Sequence, residues 1–487
     1  MNRKWIWIAL AVFVLPIAAR ALWFFPGYYS RAEAVQTPDY SAMQLSSAPT
    51  RAAAPEADAQ QMGGRVVFDA AHSNQYQQSE VQALTGALGG RGAQVEFDMD
   101  YGMLEARLRY ASAYVTIAPN AYFSSDEIRS LTAFVERGGR LAVFTDATRG
   151  TLYYDYNTGS ESLFADSNAV NPLLAPHGIT VNNDYLYNLQ ENEGNFRNVL
   201  FEQFAKNEVT FGLKQVALYG THSVGTASGQ VLLTGGDQTF SSLTDAHDPL
   251  EGGAALSADG NVLVFGDFTF LHAPYNEVAD NSTLIANIAD FLLGGTRKAE
   301  LANFPFVFSS KTVQVLPTSE VQMTAEMVGA LGRMQSSLHF LNVDLKMVEE
   351  APRSGDLLVL GTFTQSDDLT PFLKGFNLTA EDFSSYIEVP GFGKVGRTGN
   401  GLLLFKTSDQ GNTLVLLADT TDDVTILLDT LSSGLYGCVI QGDIGVCSIG
   451  YGGSFSDGSS GGDYYYDTTP TPYAPEGEGS PTPTPAG

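Results

Sequence analysis

Short apolar strands alternate with amphipathic helices between residues 64 and 295, and this alternation most constrains the fold. One of the helices begins at Ser124 and carries Glu127 three residues later, which is the pattern of a capping box. Because the strands are apolar on both faces, we expect a parallel sheet with helices on both faces. The predicted strands are Arg65–Ala70, Gln94–Asp98, Ser112–Ala118, Leu141–Thr145 and Asn261–Gly266. Residues from about 150 to 255, between the last two strands, follow the pattern less regularly.

The composition divides the rest of the chain into further segments. A second, smaller mixed α/β domain is predicted at residues 299–450, after the first domain at residues 63–298. Residues 31–62 are rich in Ala, Ser, Pro and Gln, which predicts a flexible linker. Residues 451–487 combine Gly, Ser and Tyr with repeated Thr-Pro pairs, which predicts a disordered tail.

Residues 1–30 are predicted to be a membrane anchor or a signal segment. Arg3 and Lys4 precede the uncharged run Trp5–Ala19, and the aromatic residues beyond Arg20 extend it to a length that could span a bilayer. The small residues on either side of Arg20 also fit a signal-peptide cleavage site, so both alternatives stay open, with the uncleaved anchor favoured. Both place the bulk of the chain outside the cytoplasm, and the anchor predicts a single-pass protein of the cell membrane.

Acidic residues outnumber basic ones. The chain has 54 Asp and Glu against 26 Lys and Arg, a net charge of −28, and most of the excess lies between residues 63 and 450. A protein that binds nucleic acid or anionic lipid needs a basic surface, so neither partner is expected.

The two cysteines, Cys438 and Cys447, flank a predicted hairpin. Gly442-Asp443 fits a two-residue hairpin turn with glycine first. Counting outward from this turn puts the cysteines directly opposite each other in a non-hydrogen-bonded pair, where Cα atoms lie roughly 4.5 Å apart. We therefore predict a disulfide, which favours an oxidising compartment.

Several segments of the first domain together resemble a known family. They are Asp69–Asn74 after the first strand, Gly266–Leu271 before the last helix, and Pro172–Ile179 and Gly194–Asn198 between them. This set is similar to the class I glutamine amidotransferase-like domain of unknown function in bacterial membrane-anchored proteins. Related domains occur in auxiliary subunits of gliding-type ABC transporters and in intraflagellar transport proteins. The resemblance covers about half the chain and implies a flavodoxin-like sheet.

The same resemblance does not imply amidotransferase activity. Glutamine amidotransferases of this class need a Cys nucleophile on a strand-to-helix turn, with a His base nearby. The equivalent turn here is Ala118–Tyr122, which contains no Cys. Thiol-dependent glutamine hydrolysis is therefore excluded.

Polar residues at the ends of the predicted strands are the candidate ligand-binding residues. In an open α/β sheet, ligands bind outside the carboxyl ends of the strands, and His and Asp could also act as acid or base there. Capping a helix or closing a loop would explain the same residues structurally, and His222 could reach the same crevice. No metal-ligand spacing or Gly-rich phosphate loop is present, so neither a metal nor a cofactor is predicted. The candidates are Asp69, His72, Asn74, Asn120, Asp146 and Asp267.

These features favour a non-catalytic protein, tethered to the membrane and extracytoplasmic, that binds or scaffolds. It would serve an envelope machine such as a transporter or a polysaccharide synthase, through a protein partner, a small molecule or a glycan. One alternative is a hydrolase that uses Asp69, His72 and Asp267. Another is a purely structural component of the cell surface, which would expose a large apolar patch.

Overall fold

The computed structural model describes residues 3–24, 60–99, 102, 104–155, 159–364, 366–378 and 385–449. The predicted tail at 451–487 lies outside the described residues, and so does the predicted linker apart from residues 60–62. The first described element is helix α1 (Arg3–Phe24). It is long and apolar enough to cross a membrane, although a signal sequence would have the same properties.

The described residues from Arg65 to Leu293 form the first α/β unit. Its helices are α2 (Gln82–Gly90), α3 (Leu104–Tyr110), α4 (Ser125–Glu136), α5 (Asp166–Leu174) and α6 (Asn281–Leu293). Its strands are β1 (Arg65–Asp69), β2 (Gln94–Asp98), β3 (Ala113–Ile117), β4 (Arg140–Phe144), β5 (Thr151–Asp155), β6 (Ser160–Phe164), β7 (Ile179–Val181), β8 (Leu186–Asn188), β9 (Asn198–Phe201), β10 (Gln203–Phe204), β11 (Val216–Tyr219), β12 (Val224–Thr226), β13 (Gln230–Thr234), β14 (Thr239–Ser241), β15 (Glu251–Leu256) and β16 (Val262–Phe265).

The main sheet of this unit has the order β10-β13-β15-β16-β4-β3-β1-β2. Strands β16, β4, β3, β1 and β2 pair in parallel, whereas β15, β13 and β10 add antiparallel strands on one side. The antiparallel strands come from residues 203–256, for which the sequence predicts no regular alternation. The sheet is therefore rich in parallel strands, with an antiparallel extension.

Helices cover both faces of this sheet, because its strands are apolar on both sides. Phe68 of β1 points to one face and packs in a core with Leu84 of α2 and with residues of α6. Its neighbour Val67 points to the other face and packs with Phe134 of α4 and with residues of α3 and α5. This arrangement confirms the predicted α/β class with helices on both faces.

The second α/β unit follows. Its helices are α7 (Ala325–Leu338), α8 (Thr370–Leu373) and α9 (Thr421–Ser433), and its strands are β17 (Thr312–Pro317), β18 (Asp344–Met347), β19 (Asp356–Thr362), β20 (Tyr386–Val389), β21 (Gly393–Gly396), β22 (Asn400–Lys406), β23 (Thr413–Ala418), β24 (Cys438–Gln441) and β25 (Ile444–Ser448). The main sheet has the order β18-β17-β19-β23-β22-β25-β24, parallel as far as β23 and antiparallel beyond it. This is the mixed second sheet that the sequence predicts, and the exact domain boundaries stay a prediction.

The predicted hairpin and its disulfide are confirmed. Strands β24 and β25 pair so that Cys438 lies opposite Cys447, and their sulfur atoms are 2.05 Å apart. Gly442 in the turn has φ 59°, the left-handed value that a primed turn requires at its first central residue.

Side chains from the first unit reach the second. The hydroxyl of Tyr110 donates to the carbonyl oxygen of Ser432 at 2.8 Å. The guanidinium of Arg297 lies between the rings of Phe134 and Phe306, 4.8 and 4.7 Å from their centroids. These contacts join α3 to the end of α9, and α4 to the loop that contains Phe306, through a hydrogen bond and cation–π interactions.

Candidate functional site

Acidic residues stand at the carboxyl ends of four parallel strands of the first sheet. Asp98 ends β2, Asp69 ends β1, and Asp146 and Asp267 follow β4 and β16. All four side chains are buried. The central strand β3 is followed instead by Ala118, a buried residue with φ 40°, at the turn where the resemblance would place the nucleophile. The candidates therefore share one edge of one sheet, as the sequence predicts.

Asp69 is the centre of the first group of candidates. Its Oδ1 lies 2.9 Å from Nδ1 of His72 and accepts from the backbone N–H of Ala71 at 3.1 Å. Its Oδ2 accepts from Asn74 at 3.1 Å and from the hydroxyl of Thr116 at 2.7 Å. Burial raises the pKa of Asp69, but the hydrogen bond and positive charge of His72 and the other donors outweigh it and leave the pKa lowered. The carboxylate is thus ionised and fully surrounded by donors.

His72 lies between two carboxylates. Its Nε2 is 3.4 Å from Oε1 of Glu127, and its ring stacks on Phe123 with centroids 3.8 Å apart. Burial lowers the pKa of His72, but Asp69 and then Glu127 outweigh it and leave the pKa raised. A position between two carboxylates therefore favours the imidazolium form of His72 over the neutral base.

Asn74 and Asn120 complete this group by fixing loops. The Oδ1 of Asn74 accepts from the backbone N–H of His72 at 3.1 Å, and its Nδ2 donates to the carbonyl oxygen of Ile117 at 2.9 Å. Asn120 donates its backbone N–H to the carbonyl oxygen of His72 at 2.9 Å. The loops after β1 and β3 are therefore tied together by the candidate residues themselves.

Asp146 and Asp267 form the second group. The hydroxyl of Thr269 donates to Oδ2 of Asp146 at 3.0 Å, and its backbone N–H donates to Oδ1 of Asp267 at 2.8 Å. Burial and then the charge of Asp146 raise the pKa of Asp267 to about 8, and burial also raises the pKa of Asp146. At neutral pH this pair therefore holds a proton.

Three further residues belong to the same edge. Asp166, at the start of α5, accepts from the backbone N–H of Asp146 at 2.7 Å and lies 3.1 Å from Nε2 of His222. Glu127 is predicted only as a helix cap, yet one carboxylate both completes the capping box with Ser124 and faces His72. The capping pattern could have located Glu127 next to the loop after β1, whereas no sequence signal joins Asp166 to Asp146.

The geometry limits what this edge can do chemically. Asp69, His72, Asp146 and Asp267 are each at most 1% exposed. A catalytic base must reach the proton that it removes, and here the ring of His72 is held by two acids and an aromatic face. Among the described residues, no group of three or more His, Cys, Asp or Glu side chains is arranged to hold a metal ion. The arrangement is suited to fixing loops and to storing a proton.

The solved structures that are similar to this chain share little sequence identity with it. No protein-family model matches the chain, and no curated protein matches it. Solved structures that are similar include the mmIFT52 N-terminal domain, with 16% identity and a TM-score of 0.38 over 47% of this chain and 97% of that one. A ThuA-like protein from Bacteroides uniformis has 14% identity and a TM-score of 0.30 over 48% of this chain and 91% of its own.

PurLQS from Thermotoga maritima is also similar, with 9% identity and a TM-score of 0.27 over 48% of this chain and 98% of that one. ThuA-like proteins have a glutamine amidotransferase-like fold. At these identities and TM-scores, the similarities carry no argument about activity, substrate or partner. The chain thus has structural neighbours of amidotransferase-like fold, over about half its length.

Proposed function

We propose that the chain is a single-pass, extracytoplasmic protein of the bacterial cell membrane that binds or scaffolds and does not catalyse. Its first domain would belong with the amidotransferase-like domains of membrane-anchored proteins. The observation that supports the absence of catalysis is the buried cluster of Asp69, His72 and Glu127, in which the histidine is held between two carboxylates. A site organised in this way stabilises its own loops and offers no exposed acid or base to a substrate.

The placement outside the cytoplasm is supported by two independent features. Helix α1 has 22 residues, about 33 Å at 1.5 Å per residue, and a bilayer core is about 30 Å thick. Arg3 and Lys4 at its start favour a cytoplasmic N-terminus. The Cys438–Cys447 disulfide fits an oxidising compartment.

The net charge of the chain and its attachment to the membrane limit the partners that we expect. A net charge of −28 disfavours nucleic acid and anionic surfaces, and a domain held at the membrane is positioned to meet other envelope proteins. We therefore propose a protein partner in a transporter or polysaccharide assembly, with a small molecule or glycan as a possible further ligand.

Topology is the direct test of this proposal. The full chain is produced in a bacterium, and protease is added to intact spheroplasts and to lysed ones. We expect the intact protein in the alkali-resistant membrane fraction, and digestion of its bulk in intact spheroplasts. A variant with Arg3→Glu and Lys4→Glu should insert less efficiently, because it lacks the positive flank. Full protection in intact spheroplasts, or a protein found wholly in the cytoplasmic fraction, would overturn the placement.

A hydrolase is the second candidate, and one observation favours it. Asp267 has a pKa raised to about 8, and a carboxyl group that is protonated at neutral pH can serve as a general acid. Chromogenic ester, amide and glycoside substrates are incubated with the wild-type chain and with the Asp267→Asn variant. We expect equal rates, at the level of a heat-denatured control. Turnover that the substitution abolishes, in a variant that keeps its circular dichroism spectrum, would replace the scaffold proposal.

A further inference from the structure

A small aromatic cleft lies away from the strand-end cluster, in the segment for which the sequence predicts no regular pattern. It is built on the short antiparallel pair of β8 and β14, in which Tyr187 lies opposite Phe240. The cleft has a volume of about 210 Å³. Its lining residues are Tyr185, Tyr187, Leu189, Phe196, Ser242 and Asp245.

Aromatic rings form the floor of this aromatic cleft. The ring of Tyr187 is central, with centroid distances of 6.4 Å to Tyr185, 6.3 Å to Phe196 and 5.8 Å to Phe240. Phe196 is 40% exposed and Leu189 is 72% exposed. The rings pack on one another and Tyr187 and Phe240 belong to paired strands, so an apolar surface is held in place at the solvent boundary.

Polar groups of opposite charge surround the rings. The guanidinium of Arg197 lies over Tyr185 and Phe196, 4.6 and 5.4 Å from their centroids. The hydroxyl of Tyr187 donates to Oδ1 of Asp245 at 3.1 Å. Ser242 accepts from the backbone N–H of Tyr185 at 2.9 Å, which fixes its hydroxyl at the rim. The rim therefore offers the carboxyl group of Asp245 as an acceptor and the hydroxyl of Ser242, and the guanidinium of Arg197 lies over two of the lining rings.

This combination selects among classes of ligand. An anion would meet Asp245 and a net charge of −28, whereas a cation would meet the guanidinium of Arg197. A wholly apolar occupant would cover both charged groups without replacing their hydration. A sugar ring has one face of C–H groups that can lie on aromatic rings, and its neutral hydroxyls both donate and accept at the rim.

We propose that the aromatic cleft binds a single neutral pyranose ring of a glycan. The volume supports one ring, since sites for larger ligands enclose roughly 300–1,000 Å³. The inference rests on the proposed function, whose glycan ligand it assigns to a site, but the two fail separately because the aromatic cleft shares no residue with helix α1 or with the strand-end cluster.

The test uses the full chain in lipid nanodiscs, which avoids detergents with sugar headgroups. Cellohexaose, maltohexaose and the hexamer of N-acetylglucosamine are titrated at up to about 10 mM, a range suited to a weak one-ring site, and binding is followed by ligand-observed NMR. We expect saturable binding of at least one of them. Tyr187→Ala should weaken it about tenfold and Asp245→Asn about threefold, because the first removes the central ring and the second an ionised acceptor.

Two controls keep the result interpretable. Tyr386→Ala makes the same change at an exposed position of the second unit and should leave the affinity unchanged. Because Tyr187 is half-buried, Leu189→Asp supplies a second test at a largely exposed position, where a new carboxylate should block the cleft without disturbing the core.

The proposal is overturned if none of the three oligosaccharides binds the folded protein, or if binding survives both Tyr187→Ala and Leu189→Asp. It is also overturned if a peptide of residues 464–487, which carries the Thr-Pro pairs, binds in a Tyr187-dependent way while the sugars do not. Failure here leaves the topology result unaffected, and a cytoplasmic topology would leave the sugar titration unaffected, so the two proposals fail separately.

Discussion

The two sheets differ most at the edge where their parallel strands end. In the first unit, Asp69, Asp146 and Asp267 are buried there, with His72 among them. In the second unit, threonines stand at two of these strand ends, Thr318 after β17 and Thr362 at the end of β19. The strand β23 is followed by Asp419, which forms a partly exposed ion pair with Arg397. The second unit instead buries an acid, Asp356, at the amino end of β19.

This difference shows that burying charge at the carboxyl edge is not a requirement of the layered α/β architecture. Both sheets have apolar cores on two faces, and the second is complete without ionisable groups buried at that edge among its described residues. In the first unit the charges bind the loops that cross the edge. We therefore expect the two units to respond differently to pH and to the loss of a single carboxylate.

The largest expected effect is the pH dependence of the first unit, which comes from Asp267. Its pKa of about 8 in the folded protein lies above its ordinary value of 3.8. The protonated side chain therefore contributes fully to the free energy of unfolding below pH 4, and this contribution is lost as the pH rises to about 8. Each pH unit in this range should lower the free energy of unfolding by on the order of 1 kcal/mol. The raised pKa values of His72 and His222 act in the same direction above pH 6.5.

The check is hydrogen exchange of β1, β3 and β4 between pH 5 and 8, corrected for the intrinsic rate at each pH. Asp267→Asn should flatten the pH dependence. It should also cost stability at pH 5, because the backbone N–H groups of Tyr219 and Thr269 share that carboxyl group and one of them loses its acceptor. Strands β19 and β23 serve as the internal control. An unchanged slope in the variant would refute the assignment to Asp267.

Asp69→Asn should have the next largest effect. The substitution leaves Thr116, Asn74 and the imidazolium of His72 without their shared carboxylate, and breaking a buried ion pair costs about 3–5 kcal/mol. Hydrogen exchange should increase in β1 and β3. Because the pKa of Asp69 is lowered, its carboxylate stabilises the wild-type protein above pH 4, and this stabilisation is lost at lower pH. The stabilities of the variant and the wild type should therefore differ least in acid.

The matched control is Asp126→Asn, the same change at a side chain that is 85% exposed, with an expected effect below about 0.5 kcal/mol. A cost below about 1 kcal/mol for Asp69→Asn would mean that the loops after β1 and β3 keep their positions without this carboxylate. That result would contradict the conclusion that the cluster fixes these loops.

The sequence predicts the parallel sheet, its strands and the edge that gathers the candidates, because strand alternation and capping are local patterns. Ser124 and Glu127 illustrate this, since their three-residue spacing alone predicts the capping box that forms. The Cys438–Cys447 pairing is equally local, because hairpin register follows from the turn.

The parts that the sequence does not predict depend on contacts between distant segments. The hydrogen bond from Asp146 to Asp166 spans 20 residues, and the pairing of Tyr187 with Phe240 brings together two short strands that lie far apart along the chain. Neither contact follows from a periodic pattern in the sequence. An open, ligand-binding site was one of the alternatives that the sequence left. In the structure, His72 is buried between Asp69 and Glu127 because its ring packs on Phe123. No residue spacing in the sequence predicts that packing.

Asp356→Asn tests the second unit and should cost about 2–3 kcal/mol. The carboxylate accepts from the backbone N–H groups of Ser309, Ser310 and Asn412 at 2.5, 2.6 and 2.8 Å, and an amide leaves at least one buried donor unpaired. Hydrogen exchange should rise in β19 and β23 and stay unchanged in β1 and β3. Equal loss of protection in both sheets would show that the units unfold together, and the contrast between them would then describe one cooperative structure.

The smallest expected effect is that of the disulfide. It closes a loop whose two cysteines are 9 positions apart, and so short a loop stabilises by about 2 kcal/mol, mainly by restricting the unfolded chain. Reduction should increase hydrogen exchange in β24 and β25, at the edge of the second sheet, and leave the first sheet unchanged. The double variant Cys438→Ala with Cys447→Ala should behave like the reduced protein and should not respond to reductant. If reduction instead loosened β1 or β3, the edge hairpin would be coupled to the strand-end cluster, and the two sheets could no longer be treated as responding separately.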